Sequence, residues 1–282
     1  MPGRVVIVTD STASLPEDLV RQHGIVVVPL HVVVGAQTLE EGPEASQRIV
    51  ADALRSFDPV STSRPGPETF AATYETAAAG GATGLVSVHL SAEVSGTYDS
   101  AVLGAEQVDV PVAVVDSRQV GLATGFAALS AAEAAASGAD LEQVAAAARA
   151  RAEAATSYFY VDTLEHLRRG GRIGAAAALL GAALAVKPLL TVAGGRVEPL
   201  EKVRTATRAL GRIEELACQA AGDGVVDVAV QHLDAEERAQ ALADRLRARL
   251  PHAVDVLVRE VSAVIGAHVG PGMVAVTVAP RT

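Results

Sequence analysis

The stretch HLSAEVSGTYDSA, residues 89–101, contains three serines, a threonine and a tyrosine directly after the apolar run GLVSV. One chemistry for such a cluster is nucleophilic attack by Ser95, which requires a base within hydrogen-bonding reach and a group that orients the base. His89 and His268 are the candidate bases, but no motif links either of them to Ser95. Ser95 also lies in V-S-G rather than in the G-x-S-x-G turn of a nucleophile elbow. A serine nucleophile is therefore one of several interpretations.

The same hydroxyls suit two other roles. Ser91 or Ser95 is placed to cap the helix predicted by GTYDSAVLGAEQ, because serine oxygens accept hydrogen bonds from the free N–H groups of a helix start. Those N–H groups, the positive end of the helix dipole and the extra hydroxyls also make a site for an anion, which Gly96 lets the backbone approach closely. A carboxylate and a phosphate fit such a site equally well, so the motif alone does not choose between them.

A second chemical feature is basic. Between residues 168 and 212 nine cations face only Glu198 and Glu201, so this stretch carries +7 in a chain of net charge −10. The pattern predicts either a solvated basic face or a docking surface for an acidic partner or a phosphate. The acidic overall charge and the 3% aromatic content argue against nucleic acid as a partner. We call this set the basic segment; it comprises Arg168, Arg169, Arg172, Lys187, Arg196, Lys202, Arg204, Arg208 and Arg212.

In the first half of the chain, short apolar runs alternate with helical patterns, which predicts βαβ units and a parallel sheet. Ligands of such sheets bind beyond the carboxyl ends of the strands. Three predicted strand ends carry Asp10-Ser11-Thr12, Ser91 to Thr97, and Asp116-Ser117, and the loop STSRPGPETF adds Thr62 and Ser63. We expect these segments to converge on one polar pocket. The predicted strands are RVVIVTDST (4–12), IVVVPLHVVV (25–34), TGLVSVHLS (83–91) and VPVAVVDSR (110–118).

Residues 121–155 are Ala-rich and predict helix throughout. From Tyr158 the pattern changes, and KPLLTVAGGRVEPLEKV predicts a hairpin that turns at Gly194-Gly195. The runs VVDVAVQHL, VDVLVREV and MVAVTVAP complete a predicted α+β half with a mostly antiparallel sheet. We therefore predict an α/β protein of two domains, residues 1–155 and 156–282, of which the second carries the basic segment.

Length and composition limit the class of protein. The chain has 282 residues, 50% of them hydrophobic, and its single cysteine, Cys218, forms no internal disulfide, as is typical of a reduced cytoplasmic protein. The N-terminal run MPGRVVIVTD holds four consecutive apolar residues, too few for a signal-peptide core. The longest unbroken apolar stretch, Ala175–Val186, is shorter than the roughly 20 residues of a membrane span, so it predicts a buried helix.

Taken in order, eight segments resemble the DegV family of bacterial proteins, and together they extend over nearly the full chain. They are VTDSTASLP (8–16), TSRP (62–65), LSAEVSGTY (90–98), VVDSR (114–118), VDTLEHLRRGGRI (161–173), KPLL (187–190), KVRT (202–205) and GAHVGPG (266–272). The resemblance implies a two-domain α/β protein that binds a long-chain fatty acid between its domains. It also implies that the protein presents this acid to a fatty acid kinase, which phosphorylates the carboxyl group to an acyl-phosphate.

On this resemblance the protein is a cytoplasmic carrier subunit and not itself an enzyme. Catalysis then belongs to the kinase, and the ligand is the fatty acid, with no cofactor, no metal and no nucleic acid. Transient contact with a membrane is left open.

The resemblance also implies roles for individual residues. Thr62 and Ser95 match hydroxyls that bond the carboxylate, and His268 matches a histidine near that head group. Ser63, Arg64 and Gly96 complete the expected ligand-binding set. The expected partner-binding set is Arg169, Arg172, Lys202 and Arg204, although the resemblance does not separate head-group contact from kinase contact for Arg172 and Arg204.

Two residues depart from the family pattern. Arg64 stands where glutamine is usual and adds positive charge beside the head group. Gly174 stands where serine is usual and removes a helix cap.

Several alternatives stay open. The first is a serine-dependent acyl hydrolase that uses Ser95, and the second is a binding protein for another small anion. Asp10 and Asp116 are expected to brace strand ends rather than to bind ligand, and Tyr158-Phe159-Tyr160 is expected to pack in a strand core rather than on an acyl chain.

Overall fold

The computed structural model describes residues 4–42, 46–179 and 187–281, in which thirteen strands form three sheets. The prediction of an α/β fold, with a parallel sheet flanked by helices and a second, mostly antiparallel sheet, is confirmed. The strands are β1 (Val5–Asp10), β2 (Val26–Val28), β3 (His31–Val34), β4 (Gln37–Glu40), β5 (Val60–Ser63), β6 (Gly84–His89), β7 (Val112–Asp116), β8 (Thr156–Tyr160), β9 (Lys187–Ala193), β10 (Arg196–Val203), β11 (Val226–His232), β12 (Ala253–Glu260) and β13 (Val274–Pro280).

Ten α-helices lie in the described residues, together with short 3₁₀ turns at Ser11–Ala13 and Gly174–Leu179. The helices are α1 (Glu17–His23), α2 (Gln47–Arg55), α3 (Pro67–Ala79), α4 (Thr97–Ala105), α5 (Leu122–Ala136), α6 (Leu141–Ala154), α7 (Glu165–Arg169), α8 (Ala206–Ala221), α9 (Glu236–Arg249) and α10 (Ala263–Val269).

The first sheet has the strand order β2-β1-β6-β7, and all of its pairings are parallel. Each strand directs apolar side chains to both faces of the sheet, so helices cover both faces. Val8 and Leu85 pack against Phe70 of α3, whereas Ile7 and Val86 belong to the core formed with α5 and α6. Because the strands are parallel, their carboxyl ends lie at one edge of the sheet, and the loops that follow them meet there.

A small antiparallel sheet, β4-β3-β5, was not predicted. The run 25–34, predicted as one strand, divides at Pro29 into β2 of the parallel sheet and β3 of the small sheet. Proline has no N–H for a ladder hydrogen bond, so the chain leaves one sheet there and enters another. Thr62 and Ser63, predicted in a loop, lie at the end of β5, which pairs with β3.

The second sheet has the order β10-β9-β8-β13-β11-β12, in which only β11 and β12 run parallel. One face, with Val228, Val230 and Val276, packs against α8 and α9. The opposite face carries Phe159 and Ala275 and is available to a ligand. The predicted hairpin is confirmed as β9 and β10, which turn at Gly194-Gly195.

Two helix predictions need correction. Residues 121–155 form α5 and α6 rather than one helix, because Gly138 takes a positive φ of 83° and Asp140 starts α6 with a capping box to Gln143. For the predicted buried helix Ala175–Val186, residues 174–179 form a 3₁₀ turn in which only Ala176 is buried. The remainder, 180–186, lies outside the described residues.

The predicted domain boundary near residue 155 falls between α6 and β8 and stays a prediction. In the three described stretches, 4–42, 46–179 and 187–281, no helix combines the length and the apolar character that crossing a membrane requires.

Candidate ligand-binding site

A cavity of about 590 Å³ lies where the loops of the parallel sheet meet the free face of the second sheet. This volume is within the range of small-molecule sites, which hold roughly 300–1,000 Å³. One end carries polar side chains from β5 and the residue after it, from the loop after β6 and from α10, namely Thr62, Ser63, Arg64, Ser95 and His268. The cavity therefore brings together residues that are more than 200 positions apart in the sequence.

Thr62 and His268 form the centre of the polar end. The hydroxyl of Thr62 and Nε2 of His268 are 2.8 Å apart. His268 is positioned by α10, whose first turn is capped twice: Ser262 accepts from the N–H of Ile265, and Glu41 accepts from the N–H of Val264. These caps fix the helix start and with it the histidine.

His268 is neutral in this environment. Burial, together with the nearby positive charge of Arg172, lowers its pKa to about 4. The Nδ1 atom packs against Gly170, where a side chain would have no room, and it has no hydrogen-bond partner among the described residues. A proton on Nδ1 would be a buried donor without an acceptor, so the favoured tautomer carries it on Nε2. His268 then donates to Thr62, and the hydroxyl hydrogen of Thr62 is free for a ligand.

Ser95 lies in the loop between β6 and α4. Its Oγ is 2.9 Å from Oγ1 of Thr97 and accepts a hydrogen bond of 3.3 Å from the N–H of Thr97. The N-cap residue of α4 is Gly96, which has no side chain, so Ser95 reaches the first N–H of the helix from one position before the cap, and Ser91 does not contact the helix start. When Thr97 donates its hydroxyl to Ser95, the hydroxyl hydrogen of Ser95 is available to a ligand.

Two guanidinium groups border the polar end. Arg64 lies over Gly96, where any Cβ would overlap the guanidinium, and its Nε donates to the hydroxyl of Ser100 at 3.2 Å. Arg172 donates to the carbonyl oxygens of Val94 and Gly170, at 3.2 and 2.6 Å. Both arginines are exposed and line the cavity, so they add positive potential at its mouth.

The hydrolase interpretation finds no base beside its serine. Within the described chain, Ser95 makes no hydrogen bond to an imidazole, because His268 contacts Thr62. His89, the other candidate base, bonds Ser87 and Asp10 at 2.7 and 3.0 Å. Ser87, His89 and Asp10 resemble a catalytic triad, but all three are fully buried and none lines the cavity.

The two strand-end aspartates brace loops. Asp10 accepts hydrogen bonds from the N–H groups of Thr12 and Leu90. Asp116 accepts from the N–H groups of Ala92 and Arg118. Neither aspartate lines the cavity, so of the three predicted strand ends only the one after β6 contributes side chains to it directly.

The β9–β10 turn contacts the loop that carries Ser95. Ser91 donates to the carbonyl oxygen of Gly195 at 2.8 Å, and Arg196 donates to Glu93 at 2.8 Å. Arg118 donates to the carbonyl oxygen of Gly194 at 2.7 Å. Both glycines have positive φ, and a Cβ on Gly195 would overlap the hydroxyl of Ser91. We call these contacts the hairpin clasp, because they join the second sheet to the first.

The basic segment divides into paired and unpaired cations. Acidic residues outside the 168–212 window neutralise several of them: Glu165 binds Arg168 and Arg169, and Glu93 binds Arg196. Hydrogen bonds from the first two arginines lower the pKa of Glu165 to about 2. Lys187 pairs with Asp162, and Arg212 pairs with Glu201 and Glu215. Within the basic segment, the described cations without an acidic partner are Arg172, Lys202, Arg204 and Arg208.

The long wall of the cavity was missed by sequence reasoning, although a signal for it exists. In β13, alternate residues differ: Val274 and Val276 enter the core, whereas Ala275 and Thr277 line the cavity. The TSYFY strand, β8, behaves alike, with Phe159 on the cavity and its two tyrosine neighbours on the other side. In β13, this period-2 alternation of large apolar with small or polar residues indicates a sheet face that is left open.

Comparison with known proteins gives consistent results. The DegV family model matches residues 4–281. A DegV domain-containing protein of Streptomyces coelicolor is 57% identical over 281 residues, 100% of each chain. The structure of a fatty-acid-binding DegV family protein from Thermus thermophilus is 34% identical with a TM-score of 0.93, over 99% of this chain and 100% of that one. The structure of DegV, a fatty-acid-binding protein from Bacillus subtilis, is 33% identical with a TM-score of 0.91, over 99% and 100% of the two chains.

Proposed function

The chain belongs to the DegV family, and we propose that it binds a long-chain fatty acid in the cavity with the carboxylate at Thr62, Ser95 and His268. The observation that carries this proposal is the form of the cavity: an extended wall of apolar side chains ends at a small group of hydrogen-bond donors. The fatty-acid-binding relatives from Thermus thermophilus and Bacillus subtilis support the same ligand class.

The tail provides most of the affinity. Burying a methylene contributes about 0.8 kcal/mol, so roughly fourteen of them give about 11 kcal/mol before the costs of association. A hydrogen bond to a charged group contributes about 1.5–3 kcal/mol. The polar end therefore determines mainly which end of the ligand lies there.

The polar end suits a carboxylate because it offers donors without burying a cation. His268 is neutral and donates to Thr62, which leaves the Thr62 hydroxyl to donate to the ligand. Ser95 offers a second hydroxyl. A buried carboxylate must be hydrogen-bonded to stay ionised, and these two donors meet that requirement.

Isothermal titration with saturated acids of increasing length tests the proposal. We expect affinity to rise about fourfold for each added methylene, the factor that about 0.8 kcal/mol gives, until the chain fills the cavity. Equal affinity for short and long carboxylates would contradict the proposal and favour a binding protein for a small anion.

We further propose that the protein is a carrier that presents the carboxylate to a fatty acid kinase, so that acyl-phosphate chemistry belongs to the partner. Lys202 and Arg204 are exposed and have no acidic partner in the described part of the chain, so they are available to an acidic surface. Arg169 is held by Glu165, which makes it the weaker candidate for this contact. Arg172 borders both the cavity and the solvent, and is thus placed for the head group and the partner alike.

The rate of acyl-phosphate formation by a fatty acid kinase tests the carrier role. Arg204→Glu should lower this rate about tenfold while palmitate affinity stays unchanged, since opposed charges govern encounter. Arg168→Glu is the matched control, because Glu165 already neutralises Arg168. Equal rates for the wild type and Arg204→Glu would contradict a docking role for this residue. We place the carrier in the cytoplasm, and brief contact with a membrane belongs to the same proposal.

A further inference from the structure

The inner wall of the cavity contains a polar group that the carboxylate site does not use. Gln231 on β11 is 3% exposed and lines the cavity. Its Oε1 accepts a hydrogen bond of 2.9 Å from the N–H of Leu122, the first residue of α5. Among the described residues, its Nε2 has no hydrogen-bond partner. A buried amide donor left without an acceptor is rare in proteins, and it indicates that a bound molecule supplies one.

The orientation of this amide follows from its chemistry. The N–H of Leu122 is a donor, so the atom that faces it must be the oxygen, and the opposite flip would set two donors against each other. Gly121 has a φ of +63°, and its lack of a Cβ leaves room for Oε1 of Gln231. The loop before α5 therefore seats the amide so that Nε2 is the free atom.

Two hydroxyls lie beside Gln231 on the same face of the sheet. Thr277 and Ser157 are cross-strand partners, 3% and 4% exposed, with hydroxyl oxygens 3.0 Å apart. Ala275 pairs with Gln231 and lies two residues before Thr277, so Gln231 and Thr277 are diagonal neighbours, about 7 Å apart at Cβ. At this separation, a single ligand oxygen placed between Gln231 and Thr277 is within hydrogen-bonding distance of both side chains. The two hydroxyls use one hydrogen between themselves, which leaves the other free to donate.

This polar set lies apart from the carboxylate site along β13. Met273, directly before β13, packs with Val269 of α10, the helix that carries His268. Thr277 is four residues further along, about 13 Å at 3.3 Å per residue. A chain whose carboxylate binds beside His268 therefore brings a later carbon past Gln231.

We propose that Gln231, with Thr277 and Ser157, binds an oxygen carried on the acyl chain, so that the preferred ligands are long-chain hydroxy or oxo fatty acids. The oxygen accepts from Nε2 of Gln231, and a hydroxyl also exchanges a hydrogen bond with the Thr277–Ser157 pair. An unsubstituted chain leaves the amide donor unsatisfied. This inference rests on the proposed function, since it specifies the ligand of the same cavity.

Competition binding tests the inference, with stearate and a set of hydroxystearates that differ in the carbon carrying the hydroxyl. One isomer should bind about 3- to 10-fold more tightly than stearate, the factor of one net hydrogen bond, and its neighbours in the series less tightly. If stearate binds and every isomer binds equally or less tightly, the inference is wrong while the proposed function stands. If no acid in the set binds, the proposed function is wrong as well.

Variants test whether Gln231 is responsible for the preference for a hydroxystearate over stearate. Gln231→Met keeps the length of the side chain but removes the donor, so it should abolish the preference for the hydroxylated isomer. Gln240→Met, on the exposed face of α9, is the matched control and should retain it. A preference that persists in Gln231→Met would overturn the assignment to this amide.

A measurement on the wild type keeps the inference testable if Gln231→Met does not fold. The side-chain NH₂ signal of Gln231 in a ¹⁵N-labelled protein should move when the preferred hydroxystearate replaces stearate. An unmoved signal would contradict the proposed hydrogen bond. Thr277→Val should lower the preference by a smaller factor than Gln231→Met, because it removes the second partner only.

Discussion

The polar end of the cavity and its long wall are built differently. The polar end is assembled from loops and a short helix, with Thr62 on β5, Ser95 after β6 and His268 on α10. The long wall is one face of a continuous sheet, where Phe159 and Ala275 lie on neighbouring strands. The sheet face supplies apolar contact area, which determines the affinity for a ligand. The loops and the short helix supply hydrogen-bonding groups, which determine the orientation of that ligand, so the two properties arise from separate parts of the fold. The predictions below test that separation.

Filling the sheet wall should have the largest effect. Ala275→Phe adds a ring in the middle of the wall and should exclude the far part of a long chain. Each excluded methylene costs about 0.8 kcal/mol, so four of them cost about 3 kcal/mol. Titration with acids of increasing length should show an early plateau, while short acids bind as they do to the wild type. A chain-length dependence identical to that of the wild type would contradict the position of the tail.

Removing the polar donors should have a smaller effect on affinity and a larger effect on orientation. Thr62→Val and Ser95→Ala should each weaken palmitate binding about 10- to 100-fold, because each removes one hydrogen bond to a charged group, and the double variant loses both. Ser61→Ala, one residue from Thr62 on the outer face of β5, is the matched control. Unchanged palmitate affinity in the double variant would remove both hydroxyls from the site.

Acidification should destabilise the polar end through His268. The folded protein holds this side chain neutral down to a pKa of about 4, whereas the unfolded chain protonates it near 6.5. The free energy of unfolding should therefore fall by about 2–3 kcal/mol as pH decreases from 6.5 to 4, since the unfolded state binds the extra proton there.

Other groups near His268 also titrate, so the test compares the pH dependence of the wild type with that of a His268 variant. Burial also lowers the pKa of His166, which acts in the same direction, whereas burial raises the pKa of Glu41, which acts in the opposite one. His268→Gln keeps an N–H toward Thr62 but cannot be protonated. Denaturant titrations of both proteins should diverge between pH 6.5 and 4. Parallel pH dependences would show that His268 has the same pKa in the folded and unfolded states and would contradict the expected shift.

Weakening the hairpin clasp should have the smallest effect. Arg196 is 62% exposed, so its ion pair with Glu93 contributes at most about 1 kcal/mol. Arg196→Ala should speed the release of a fluorescent fatty acid by about two- to fivefold, because the clasp joins the two walls. Arg208→Ala, which removes an exposed and unpaired arginine, should leave the rate unchanged. A release rate unaffected by Arg196→Ala would mean that the ligand does not leave past the clasp.

The parts predicted from sequence were those with local signals. The turn at Gly194-Gly195 was predicted because two glycines between alternating apolar residues favour a hairpin. The small sheet was not predicted, since β4 is mostly exposed and has no alternating apolar pattern to mark it.

The charge count of the basic segment left out acidic partners for a related reason. Counting charges between residues 168 and 212 omitted Glu93, Asp162, Glu165 and Glu215, which pair with five of the nine cations. Glu165 is three residues from Arg168 on one helix and was open to prediction. Glu93 and Arg196 are 103 positions apart, so only the fold brings them together. The position of Gln231 on the long wall of the cavity likewise depends on contacts between distant segments. The alternation of residues along the neighbouring strands was nevertheless a usable signal for that wall.

A crystal structure of the protein with palmitate tests the central claim most directly. The account predicts a carboxylate within roughly 2.6–3.2 Å of the hydroxyl oxygens of Thr62 and Ser95, with the tail along Phe159 and Ala275. A carboxylate away from both hydroxyls, or a tail that does not enter the cavity, would contradict it.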